Sequence, residues 1–143
     1  MDELVPLVAE ISARDKMLGD LSRECLWCAE NNQHMAALAC LFILVEQAIK
    51  MAMDVTEGHF ATLLESAKEK GIIDLKEYSA INQMREIRNK LFHENHYAGA
   101  MEKDGLIWQF SEDETKELLF NELSLPCFNA VFNLLKKQGD LLG

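Results

Sequence analysis

Proline and glycine are scarce. Two prolines and seven glycines in 143 residues leave little material for linkers or many tight turns, which counts against a fold of many short strands and favours long helices. Basic charge is also in short supply: fourteen Lys and Arg stand against twenty-four Asp and Glu, a formal net charge of −10. No global positive field draws in nucleic acid by counterion release, so any contact with RNA or DNA has to be local. Long apolar runs are missing too. The longest, Met35 to Val45, has eleven residues where a membrane span needs about 20; it reads as a buried core helix, and no membrane association is expected. The chain opens Met1-Asp2-Glu3, without the basic and then apolar segments of a targeting signal, and a cytoplasmic location is the expectation.

Four cysteines, Cys25, Cys28, Cys40 and Cys127, lie among apolar residues, as buried reduced thiols do, and no disulfide is expected. There is no glycine-rich phosphate loop, Gly-x-Ser-x-Gly elbow, metalloprotease helix motif or calcium loop, which removes the common nucleotide-hydrolase and hydrolase routes. No repeat or low-complexity tract interrupts the chain, and its length fits one domain over residues 1–143.

What is present is helical periodicity. Over Val5 to Asn32 the apolar Leu18, Leu21, Cys25 and Cys28 recur at steps of three and four, one stripe of a helix that tolerates Pro6 only near its first turn. A second, almost wholly apolar helix spans about Gln33 to Asp54. After Gly58 a third follows with Phe60, Leu63, Leu64 and Ala67, closed by Lys68, Lys70 and Gly71. Asp74 and Glu77 make a capping box for a fourth, through Tyr78, Ile81, Met84, Ile87 and Leu91 to about Asn95. Residues 98–110 read as a loop or a brief extended strand. Ser111 and Glu114 suggest a second capping box for a last helix to about Lys137, with Pro126 expected to kink or split it. The fold class expected is all-α, a bundle of about five helices.

The fourth helix carries the candidate chemistry. With steps of about 100° per residue, Ala80, Met84, Ile87 and Leu91 are expected to face the core, and Arg85, Arg88, Asn89, Phe92, His93 and His96 to lie on the other side. Arg88 and His93 are five residues apart, roughly 140° around the axis, and flank a face rather than forming one stripe. A guanidinium binds a phosphate in fork geometry, and an imidazole that titrates near neutrality shuttles a proton. Phosphodiester chemistry is therefore the reaction these residues suit, with Arg88 and His93 as catalytic candidates and Arg85, Asn89 and His96 as substrate-binding or orienting ones.

The run Arg88-Asn89-Lys90-Leu91-Phe92-His93 resembles the hallmark of the HEPN superfamily: an arginine, a polar residue, then a histidine four to six positions after the arginine, late in a helix of a bundle. The resemblance extends upstream to the apolar helix with Glu46 and to Phe60-Ala61-Thr62-Leu63-Leu64 leading into Gly71-Ile72-Ile73, and covers about Met35 to His96. It implies a HEPN-like bundle and a metal-independent endoribonuclease of the toxin or abortive-infection type, in which His93 transfers a proton and Arg88 holds the scissile phosphate. It also implies RNA as substrate, a homodimer with a composite site, and an antitoxin or other protein partner. No cofactor or metal is expected.

Plainer readings stand beside these. Arg88 could simply pair with Glu86, Glu94 or another carboxylate on a solvated face, with His93 serving the last helical turn. Phe92 on the polar side calls for an interface, most simply between two protomers. Cys25-x-x-Cys28 and His93-x-x-His96 offer four zinc ligands in principle, but both cysteines fall on the apolar stripe, and buried thiols are favoured. The competing functional reading is a non-catalytic HEPN helical module that binds a protein partner or a nucleotide, motivated by the acidic charge.

Overall fold

The computed structural model describes residues 2–92 and 99–142. The chain is 76% helical, an all-α bundle as the periodicity implies, with one small two-stranded sheet among the described residues. The elements run α1 (Leu4–Arg14), α2 (Lys16–Glu30), α3 (His34–Met53), α4 (Phe60–Glu69), α5 (Leu75–Phe92), β1 (Ala100–Lys103), β2 (Leu106–Gln109) and α6 (Asp113–Leu142).

Among the described residues there are six helices, where about five are expected, because the segment read as one helix over 5–32 is two. Asp15 leaves the helix with extended backbone angles, φ −149° and ψ 126°. Its carboxylate accepts a hydrogen bond from the Leu18 amide at 2.8 Å, an N-cap worth about 1 kcal/mol. The break folds α1 back on α2 and lets both bury a face: Val8 and Ile11 from α1, Leu18 and Cys25 from α2. Where they cross, Gly19 lies so close to Ser12 that a Cβ would stand 2.7 Å from the Ser12 Cα.

α1 packs on α2, α2 on α3, α3 on α6 and α6 back on α1, a closed ring of four helices. α3 carries the apolar load, with Leu38, Leu41, Leu44, Val45 and Ile49 almost wholly buried, each such side chain stabilising the fold by about 1.5–3 kcal/mol before entropy is counted. By length and composition alone, α3 and residues Asp113–Gly139 of α6 would suffice to cross a membrane; roughly half of each is buried inside the bundle. α4 and α5 pack on each other and on α3, and α5 also reaches α6.

The expected cap of α5 forms on both sides: Asp74 Oδ1 accepts from the Glu77 amide at 2.7 Å, and Glu77 Oε1 accepts from the Asp74 amide at 3.0 Å. α4 ends with Gly71 at φ +73° and the Ile72 amide bonded back to the Ala67 carbonyl at 2.9 Å, the left-handed closure a glycine allows. Within 98–110 the extended alternative holds: β1 and β2 pair antiparallel, Met101 opposite Trp108. An ion pair between Lys103 and Glu122 ties the hairpin to α6. The second capping box does not form as expected, because α6 begins at Asp113, two residues past Ser111. Pro126 does not split α6, which runs through it.

All four cysteines are free, three of them buried. Loss of hydration pushes the Cys127 thiol up to about 12 and the half-buried Cys40 thiol up to about 11; burial and neighbouring thiols push Cys25 well above the ordinary range as well.

Two outcomes follow from this packing. Gly19→Ala is expected to lower the stability read by urea unfolding by about 1–3 kcal/mol, the usual penalty for overpacking, whereas Gly139→Ala, with open space around it, should leave the midpoint unchanged or slightly raised. In native protein at pH 8, iodoacetamide should label Cys40 first and slowly and leave Cys25 and Cys127 unlabelled until denaturant is added; rapid labelling of Cys127 would contradict the packing of α6.

Candidate active site

The candidate residues sit on α5, and their placement starts from which arc of that helix is buried. Glu77, Ile81, Met84 and Leu91 are buried, and Ala80 and Ile87 are half-buried. On steps of about 100° the four buried residues span an arc of roughly 80°, and Arg88 falls within it. The expectation that Arg88 lies on the outward side is therefore corrected: it takes the place a core residue would hold, between Met84 and Leu91. The reason is the neighbour it meets there.

Glu46 projects from α3 and accepts a hydrogen bond from Arg88 Nη1 at 2.8 Å, with the two side chains 27% and 20% exposed. The guanidinium lies over the Phe60 ring, 5.3 Å from its centroid, so α3, α4 and α5 all converge on it. Glu46 also holds Lys50, one turn along α3, at 3.2 Å. A carboxylate between two cations fixes the arginine head in place, and the aromatic face adds an attraction of about 0.5–2 kcal/mol. Of the five donors of the guanidinium, Nε is buried and has no hydrogen-bond partner among the described residues.

Arg85 is half-buried and turns its Nε to Asn82 Oδ1 at 3.1 Å. It belongs with a surface cluster on the α4 side, where Tyr78 donates to Glu65, Lys68 pairs with Glu65 at 3.2 Å, and Lys68 lies 4.2 Å over the Tyr78 ring. The hydrogen bond from Tyr78, then Lys68 and Arg85, hold the Glu65 carboxyl below its usual range; the same bond raises Tyr78. Asn89 is half-buried. Arg88 is thus held by the Glu46 carboxylate and Arg85 by the Asn82 side-chain oxygen, so the two guanidiniums take separate partners. The expected roles of His93 and His96, and their alternative as zinc ligands, lie outside the described residues, as does any side-chain role of Phe92. No group of three or more potential metal ligands occurs among the described residues.

Glu46, Lys50 and Phe60 are the residues that reading the motif alone leaves without a role. A signal existed in the sequence: Glu46 and Lys50 are the only acidic and basic residues in the twenty of α3, four apart on one face. Charges confined to the end of an otherwise apolar core helix mark the place where something polar must meet it. Comparisons with family models, with curated proteins and with solved structures find no match.

The ion pair is open to direct measurement. In a double-mutant cycle, Glu46→Ala and Arg88→Ala are expected to couple by at least about 1 kcal/mol in unfolding free energy, more than an exposed pair gives. Additive effects would mean that Glu46 does not hold Arg88.

Proposed function

We propose that the protein is a HEPN-type ribonuclease: a cytoplasmic, metal-independent endoribonuclease of the toxin or defence kind, working as a homodimer and held in check by a partner protein. One observation carries the reading. Arg88, the arginine of the Arg-Asn-x-x-x-His run, is the cation fixed by Glu46 and Phe60 at the junction of three helices, five residues before His93 in the chain. A surface arginine of no consequence would sit in water; this one is half-buried and oriented, the condition for binding a phosphate in a defined pose.

In the proposed reaction the 2′-oxygen of the RNA attacks the adjacent phosphorus and the bond to the 5′-oxygen breaks. His93 moves the proton, Arg88 neutralises charge on the phosphate oxygens, and Asn89, Arg85 and His96 orient the strand. The negative net charge limits the contact to a local footprint, and a second protomer supplies the rest of the site. One observation favours the alternative, a non-catalytic module for a protein or nucleotide: Arg88 already has a carboxylate partner, so a phosphate has to share the guanidinium with Glu46 or displace it.

Purified protein should cleave single-stranded RNA in excess chelator. His93→Ala should reduce the rate by about 10²–10⁴-fold, the usual contribution of a general acid or base, and Arg88→Ala by a comparable factor, with helical content unchanged. RNA binding without cleavage, or cleavage equal in wild type and His93→Ala, would overturn the ribonuclease and leave the binding module.

A further inference from the structure

The other end of α3 carries chemistry that the Arg88 site does not use. His34 and Glu46 are twelve positions apart on this helix, about 18 Å along its axis. His34 is 7% exposed; its Nδ1 lies 2.9 Å from Asp113 Oδ2 and its Nε2 lies 3.9 Å from Glu117 Oε2, both on α6. An ionised carboxylate only accepts, so in the neutral ring the hydrogen sits on Nδ1 and the lone pair of Nε2 turns toward Glu117. In that ring state two acceptors face each other with no donor between them, whereas the imidazolium donates toward both carboxylates and competes with any added cation.

This pair borders a cavity of about 640 Å³, within the range of roughly 300–1,000 Å³ typical of small-ligand sites. Glu3, Glu30 and Glu117 bring carboxylates to its wall from the start of α1, the end of α2 and α6, and no Lys or Arg lines it among the described residues. Ser124 also lines it; it is only 6% exposed, yet its hydroxyl has no hydrogen-bond partner among the described residues. Leu4 and Phe120 supply apolar wall. Asn32 and Asn121 also line it and can donate or accept, so the wall is negatively charged and without a Lys or Arg among the described residues, with a greasy side.

We propose that this cavity is a binding site for a small organic cation, a primary ammonium on an aliphatic body. The ammonium, with three donors and no acceptor, bridges His34 Nε2 and Glu117 and turns its third hydrogen to Ser124 or another wall carboxylate. The aliphatic body lies along Leu4 and Phe120. The same head is carried by a free aliphatic amine and by a lysine side chain of another protein, and the ligand is one of these.

Full-length ¹⁵N-labelled protein titrated with 1,4-diaminobutane at constant ionic strength should show saturable shifts of the His34 ring and Ser124 amide resonances. The neutral isostere 1,4-butanediol and matched sodium chloride should give none. Glu117→Gln, at a side chain 53% exposed and so not needed for folding, should weaken binding by about tenfold or more, as loss of a charge-assisted bond does; Glu30→Gln should weaken it less. A parallel titration with a capped Gly-Lys-Gly peptide separates the sources: tighter binding of the diamine assigns a free amine, tighter binding of the peptide a lysine side chain. No saturable response to either, an equal response to sodium chloride, or unchanged affinity in Glu117→Gln would overturn the site. RNA cleavage should be unaffected by Glu117→Gln, so this proposal and the ribonuclease reading fail or stand separately.

Discussion

An almost uncharged helix must be covered, and most of the architecture follows from covering α3. Its flanks are taken by α2 and α6, and α1 closes the ring by packing on both. Only the last two turns of α3 carry charge, Glu46 and Lys50, and there the cover changes from apolar side chains to α4 and α5. Burying Glu46 to 27% exposure without a cation beside it would be unfavourable by several kcal/mol; Arg88 and Lys50 remove that penalty. The same ion pair that permits α3 to keep a carboxylate in the bundle fixes the arginine of the candidate motif.

This coupling of packing to chemistry explains why Arg88 occupies an inward arc of α5. A catalytic arginine free in solvent loses side-chain entropy when it binds substrate, whereas one held between a carboxylate and an aromatic ring is already oriented. In the proposed ribonuclease Glu46 is a positioning residue, which would act on a phosphate only through Arg88. Its negative charge also draws on the attraction that Arg88 would offer a phosphate, and Lys50 on the same carboxylate offsets part of that loss.

The helices were legible because their signals are local. The Asp74–Glu77 box, the Gly71 closure and the apolar run of α3 each depend on residues within a few positions, and each forms in the fold as read. Asp15 was missed because an Asp followed by Lys16-Met17-Leu18 suits a helix interior nearly as well as a cap, and only the packing of α1 against α2 decides. Ser111 failed for the converse reason: a sequence match to a capping box does not fix where the chain first turns helical after the hairpin. The placement of the candidate residues was less legible. The helical wheel put Arg88 on the wrong arc, because a core centred on Ala80 and Ile87 looks as apolar in sequence as the true one, which includes the capped Glu77. Partners 42 residues apart, Glu46 and Arg88, or 79 apart, His34 and Asp113, have no local signature.

The central claim is that Arg88, as held by Glu46, is the phosphate-binding group of a site completed by His93. Its most direct test is the ¹⁵Nε resonance of Arg88 during titration with a single-stranded RNA whose 2′-hydroxyls are methylated, so that it binds without being cut. The account predicts a saturable shift of Arg88 Nε together with the His93 ring, reversed by high salt and diminished in Glu46→Gln. A resonance that stays fixed while the RNA binds elsewhere, or no binding at low salt, would contradict it.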